Sequence, residues 1–438
     1  MKKGLIVLFL TLALLVLVSP GIVGRLAERG MDDSLEWAAN EQGEIIVTSS
    51  GFERGWFNSA GQHRIELIRG ELYDSTLAAL GRTEQDLLPV LLIDTRLDHG
   101  LIPVSSLARE HGSLLPGLGS AVSTLSIEMS DGSVVALPGK FFSSVGLTGV
   151  LQSRFLLEPE GADTEAARID WGLAEFVATA DALTGNLAFR GSLNSVAVET
   201  AGETTIVGKL DVDIDLTDSG FGFMVGPAKI SLDSFAVIGA DETMSAGPLY
   251  LDSDSSLDDG RVNADVTLRL ENIPFPTGGS GGVHIVAHLE NIDAIALGQL
   301  TRSLETARTT EFNPLTTVGV QRDLKLMLAS GMKIRFDHLD VSSPFGEITS
   351  NLSASVARSA DDDYSWATAM MALDATANVS LPAALVDLAT QYNPDLHAAI
   401  GMGFLRKRGQ FYTMEAAFKQ GLLTVNGAPM PIPLAGLQ

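Results

Sequence analysis

Ser280 is the first residue to test for chemistry, because Gly278-Gly279-Ser280-Gly281-Gly282 has the G-x-S-x-G spacing that can hold a serine nucleophile. That device works only between a strand and a helix, where the strained turn keeps the hydroxyl exposed at the helix start. Here Pro274 and Pro276 precede the glycines and the alternating run Val283 to Leu289 follows. The segment is therefore expected to be a flexible hairpin loop, without a catalytic role for Ser280.

His284 and His288 come next, since four residues of spacing place two imidazoles on one face of either a helix or a strand. Glu290 shares their parity, so one strand face carries a conceivable His, His, Glu ligand set. Val283, Ile285, Ala287 and Leu289 alternate with them, and a polar outer face of a half-buried strand accounts for the same pattern. No metal site is assigned. His63, His99, His111, His338 and His397 stand in turns or at strand edges and form no readable triad. Asp252, Asp254, Asp258 and Asp259 before Gly260 look calcium-like but lack the oxygen ladder and closing glutamate of an EF-hand loop, so they read as an acidic hairpin turn. Asp361 to Asp363 reads as a solvated turn, and Arg406-Lys407-Arg408 is too small a basic cluster for a lipid or nucleic-acid patch. The expectation is a protein with no catalytic residues and no cofactor.

The elements that would position these residues are mostly strands. In Lys209 to Leu216 the apolar set Leu210, Val212, Ile214 and Leu216 opposes Asp211, Asp213 and Asp215; in Arg261 to Glu271, Val262, Ala264, Val266, Leu268 and Leu270 do the same against polar neighbours. Each is a strand with one dry and one wet face. Similar runs are read at 44–50, 62–69, 88–98, 123–129, 133–138, 149–158, 166–180, 185–200, 221–237, 244–257, 282–290, 333–341, 346–357 and 366–380, with Asp131-Gly132 as a hairpin signal. Helices are expected at Leu77 to Leu87, Ile292 to Arg308, Leu315 to Ser330 and Pro382 to Tyr392, with a further turn or short helix after Asn393-Pro394 and a closing hairpin from Gln410 to Val425. The predicted class is mainly β with a few helices (α+β): curved antiparallel sheets built from sequential hairpins, with one N-terminal transmembrane helix. Residues 44–291 form an antiparallel β region, and 292–438 a helix-interrupted β region continuous with it.

The N-terminal helix is read from Gly4 to Gly24, 21 residues without a charge after Lys2 and Lys3. Such a helix covers roughly 30 Å, the thickness of a bilayer's hydrocarbon core. The basic flank places the N-terminus in the cytoplasm and the remainder across the membrane. A cleaved signal peptide is the competing reading, but Val18-Ser19-Pro20 offers a poor cleavage exit. Residues 1–24 are thus expected to be a signal anchor and 25–43 a short helical stalk. A net charge of −25 and a pI near 4.5 repel phosphate backbones, which excludes nucleic acid as a partner. Zero cysteines remove disulfides, thiolate metal sites and thiol nucleophiles.

Gly51-Phe52-Glu53-Arg54-Gly55-Trp56-Phe57-Asn58-Ser59-Ala60, about thirty residues after the anchor, resembles the opening motif of the YdgA-like family of bacterial envelope proteins. Asp98-His99-Gly100-Leu101-Ile102-Pro103 and the closing Tyr412 to Pro429, with Asn426-Gly427, agree with it, apart from Leu101 where the family tends to have proline. The resemblance implies an inner-membrane, single-pass protein of Gram-negative bacteria with its C-terminal domain in the periplasm, and no catalytic residues to carry over. Gly55, Trp56, Phe57, Ser59, His99, Gly100, Asn426 and Gly427 read as packing and turn residues.

A helix about 10 Å across covers roughly two strands spaced about 4.8 Å apart. Four or five modest helices therefore leave most of the apolar strand faces to be closed by another sheet, a partner copy or an apolar ligand. The expected function is a membrane-tethered, non-enzymatic holder of lipid or another apolar envelope component. A homodimeric scaffold or adaptor is the alternative, and an anchored hydrolase using Ser280, or a metal at His284 and His288, the remote one.

Overall fold

A computed structural model of the chain describes residues 45–54, 58–68, 73, 88, 90–99, 117–128, 132–163, 167–181, 183–200, 202–239, 243–275, 278–309, 314–359 and 365–430. The uncharged run 4–24, the stalk 25–43, the helix expected at 77–87, the acidic turn 361–363, and Gly55, Trp56, Phe57 and Gly100 lie outside the described residues. Among the described residues no helix is long and apolar enough to cross a membrane. The chain forms two compact units: one runs up to Gly161 and includes Asp170–Leu193, the other comprises Ala162–Ile169 and the chain from Asn194 onward. The boundary read at 291/292 falls inside a strand.

The first unit is an antiparallel meander of β1 (Ile45–Arg54), β2 (Asn58–Leu67), β3 (Val90–His99), β4 (Gly117–Glu128), β5 (Val134–Gly146) and β6 (Val150–Leu157). Two short strands, β7 (Glu160–Asp163) and β8 (Ala167–Trp171), intervene in sequence before β9 (Ala174–Asp181) and β10 (Leu187–Leu193) complete the row. Pairing runs β1, β2, β3, β4, β5, β6, β9, β10 without a crossover. The run read as one strand at 166–180 is broken at Gly172-Leu173. Because paired residues share a face, one side carries the rung Thr95, Ser123, Phe141, Phe155, Phe176, Gly191, while the other carries Asn58, Asp98, Ser120, Ser144, Gln152, Thr179.

The second unit begins with β11 (Val196–Thr200), β12 (Glu203–Val207), β13 (Leu210–Asp218), β14 (Met224–Val225), β15 (Pro227–Leu232), β16 (Phe235–Gly239), β17 (Thr243–Ala246) and β18 (Leu249–Asp258). Strands β17, β16, β12 and β11 pair in that order in a small sheet, and β13, β15 and β18 in a larger one. The registers join: Val207 pairs with Phe235 and Leu210 with Leu232, with Gly208 N–H donating to Ser234 O between them. Three strands thus bend at one level and pass from one sheet to the other. Glycine is required at the crease, because a Cβ on Gly208 would sit 2.5 Å from Ser234 Oγ and one on Gly247 (φ +111°) 2.9 Å from Ser234 Cα.

The larger sheet continues through β19 (Arg261–Pro274) and β20 (Ser280–Asp293), then two helices, α1 (Ala294–Thr309) and α2 (Pro314–Ala329). Asp293 starts α1, its Oδ1 accepting from Ala296 N–H at 3.0 Å, and proline opens α2. Next come β21 (Met332–Ser343), β22 (Gly346–Val356), α3 (Trp366–Ala372), β23 (Leu373–Pro382), α4 (Ala383–Ala389), α5 (Pro394–Gly401), β24 (Arg406–Arg408), β25 (Phe411–Lys419), β26 (Leu422–Val425) and β27 (Ala428–Met430). Pairing is sequential from β18 to β23, then β25, β26 and β27. The segment 366–372, read as the start of a strand, is helical. Ser365 caps it through Thr368 N–H, and Ala-Thr-Ala-Met-Met-Ala favours helix over a pleated row.

The helices sit at the ends of one sheet face. Val262, Ile292, Ala294 and Met332 form a buried cluster with Leu257, Leu289, Ile334, Leu297, Met327 and Leu328, so α1 and α2 cover one end of the apolar face. Val386, Leu405 and Tyr412 with Leu381, Leu396, Ile400 and Met414 bury another part under α4 and α5. Helices α1 and α2 are joined by Asp323, 1 % exposed, which accepts hydrogen bonds from Ser303 of α1 and from Arg322 Nε. Burial pushes the Asp323 carboxyl up, but the bonds from Arg322 and Ser303 outweigh it and hold the group below the usual carboxylate range.

Candidate functional site

Each unit presents one apolar strand face, and neither is fully covered by described residues. In the first unit Phe141 and Phe155 pack at 4.6 Å between ring centroids, Phe155 and Phe176 at 6.5 Å, and Phe176 stacks on Phe189 at 5.6 Å and 4°. The aromatic row crosses β5, β6, β9 and β10. Gly191, directly opposite Phe176, makes room for it: a Cβ there would lie 2.5 Å from the Phe176 ring. Phe141 remains 39 % exposed and Val135, on the same face, 50 %. In the second unit the apolar rung Val212, Ile230, Leu251, Leu268, Ile285, Leu339 crosses six strands, and Leu339 and Leu352 remain exposed between the helix-covered ends.

The opposite face of the second unit is ionic. Its rungs include Asp254, Asp265, His288, Arg335 and, parallel to it, Tyr250, Arg269, His284, Asp340. His288 lies between two carboxylates, its Nδ1 against Asp265 and its Nε2 3.2 Å from Asp337. Glu290 pairs with Lys333 at 3.1 Å. A strand advances about 3.3 Å per residue, so His284 and His288 share a face but stand about 13 Å apart along it, too far to hold one ion. The same spacing separates Ser280 from His284 along the strand. Ser280 opens β20 with no helix following, so the G-x-S-x-G segment has no elbow geometry.

What the sheet register brings to His284 is instead His338 and Asp340 of β21. One ligand atom of each lies within 4.8 Å of the others. The His284 and His338 rings stack at 5.0 Å, and His338 Nδ1 is 2.8 Å from Asp340 Oδ2. Nothing in the linear sequence pairs residue 284 with residue 340; the only local cue is His338-x-Asp340 with one strand parity.

The remaining sequence-read residues take mostly structural positions. Asp252 and Asp254 stand on the ionic face of β18, Asp252 bound to Lys229 at 3.1 Å; only Asp258 and Asp259 reach the turn, so the four aspartates do not form one loop. Lys407 and Arg408 pair with Asp387 and Glu415. Ser59 is buried on β2, and His99 ends β3. Asn426 and Gly427, both with positive φ, make the β26–β27 turn; the Asn426 amide donates to Gly403 O and Phe404 O, and its Oδ1 accepts from Glu415 N–H. Asp98, buried on β3, has its carboxyl raised above the usual range by desolvation, and its Oδ2 has no hydrogen-bond partner among the described residues.

A protein-family model described as a bacterial protein of unknown function (DUF945) matches residues 1–433, so the chain belongs to that bacterial family. No curated protein and no solved structure matches the chain.

Proposed function

We propose that this is a non-enzymatic envelope protein, anchored in the inner membrane through residues 4–24, whose β-sheets hold lipid or another apolar component in the periplasm. The observation that carries the reading is the exposed apolar face, above all the aromatic row from Phe141 to Phe189 with Phe141 39 % exposed. A face of phenylalanine and aliphatic side chains gains roughly 25 cal/mol for each Å² it hides from water, and acyl chains supply matching surface without requiring polar partners. The uncharged N-terminal run and the resemblance to the YdgA-like family support the placement at a membrane. The strand context of Ser280 and the about 13 Å between His284 and His288 weigh against the hydrolase reading.

The test is mass spectrometry of lipids extracted from residues 25–438, exported and purified without detergent, beside the Phe141→Asp, Phe155→Asp double variant. Lipid near one per chain in the parent and its loss in the variant are expected. Lipid-free parent protein that sediments as a dimer would replace this reading with the scaffold, the same apolar surface then lying against a second copy.

A further inference from the structure

We propose that His284, His338 and Asp340 bind one divalent transition-metal ion of the zinc class on the ionic face of the second unit, the face opposite the proposed apolar ligand. His284 and Asp340 are directly paired across β20 and β21, which sets their Cβ atoms about 5 Å apart on one face. His338, two residues before Asp340, shares that face. A β-bulge at Asp337 then switches the parity of β21, so that Phe336 and Ile334 turn to the apolar side while His338 and Asp340 stay on the ionic one.

The carboxylate is held for the task. Asp340 has a side chain only 13 % exposed, and its Oδ1 accepts from Ser350 N–H at 3.1 Å, which fixes the group and leaves Oδ2 facing the imidazoles. Such an outer hydrogen bond orients a metal-binding carboxylate. Around an ion with bonds near 2.0 Å, tetrahedral ligand atoms stand about 3.3 Å apart, so the 2.8 Å between His338 Nδ1 and Asp340 Oδ2 has to open by about half an ångström, and the wider separations, up to 4.8 Å, have to close through rotation of the imidazoles. His288 offers no such opportunity, since both its nitrogens face carboxylates of its own.

Two imidazole nitrogens and one carboxylate oxygen suit Zn²⁺ and its neighbours rather than Ca²⁺ or Mg²⁺, which take oxygen ligands. Three protein ligands leave coordination open toward the shallow depressions on either side, where Glu347 lines both. Against the one guanidinium there, Arg269 opposite His284, the carboxylates of Asp340 and Glu347 and a chain charge of −25 favour a cation.

The experiment is titration of the untagged, chelator-treated full chain with Zn²⁺ followed by calorimetry, and with Co²⁺ followed by visible absorption. One ion per chain is expected, with a Co²⁺ spectrum free of thiolate charge-transfer bands because the chain has no cysteine. His284→Ala and His338→Ala should each weaken binding at least tenfold, and Asp340→Asn, which keeps an acceptor for Ser350, should do likewise with an unchanged circular dichroism spectrum. His288→Ala should bind as the parent does. Absence of saturable binding at one ion per chain, or binding that survives His284→Ala and is lost in His288→Ala, would overturn the site.

Discussion

The two units use the same strand grammar and bury it differently. In the second, helices lie on the apolar face and drive Val262 and Ile292 to 5 % exposure; in the first, the described aromatic row has Phe141 at 39 %. Strand alternation supplies both apolar faces, and among the described residues helices bury the two ends of the second unit's face while the β5–β10 part of the first unit's face keeps its aromatic row partly exposed. A face that is covered stabilises the fold through cavity-sensitive packing, and a face left open is available to something outside the unit.

Two truncations, one on each face, separate a core from an open surface. Ile292→Ala removes side-chain volume beneath α1 and should cost about 2–4 kcal/mol in denaturant unfolding, whereas Phe141→Ala, on the open row, should cost about 1 kcal/mol and act mainly on retained apolar ligand. Equal losses would mean that the aromatic row is core after all. Next in size is Asp323→Ala, which removes the buried acceptor shared by Ser303 of α1 and Arg322 of α2 and should cost about 2–3 kcal/mol. Because the folded carboxyl lies below its unfolded value, the parent's advantage over this variant should be fully present above the usual carboxylate range and disappear as pH falls through the Asp323 value.

The smallest expected effect has the opposite sign and sits in the first unit. Asp98 is raised in the folded state, so folding binds extra protons there and stability falls as pH rises from the ordinary aspartate range through the higher folded value. Asp98→Asn should therefore stabilise the protein by up to about 1 kcal/mol at neutral pH and leave it unchanged below the ordinary aspartate range, checked by thermal melting across pH. A variant less stable than the parent at neutral pH but equal to it at low pH would show that the carboxylate has a charged partner in the folded protein.

Much of the architecture was legible from alternation alone. Leu210 to Leu216 and Val262 to Leu270 read directly as half-buried strands because the pleat has a period of two, and α1 and α2 lay within a residue or two of their expected ends. The segment 366–372 is helical against its reading as strand because a pattern of only seven residues is compatible with either period, and the Ser365 cap decides for helix. The crease at Gly208, Ser234 and Gly247 was hidden in ordinary-looking runs, since it depends on three strands bending at one level. His284 invited pairing with His288, its neighbour in sequence, yet a strand separates residues four apart further than it separates residues on adjacent strands.

The order and type of the strands, the acidic charge, the absence of thiol chemistry and the division of each strand into a dry and a wet face are properties of local sequence, because they depend on composition and on the pleat's own period. Which strands became neighbours, which faces received helices, and that His284 meets His338 and Asp340 depend on register across segments more than fifty residues apart. Register is set by the summed packing of whole faces and by one bulge at Asp337, so only the tertiary structure could decide it.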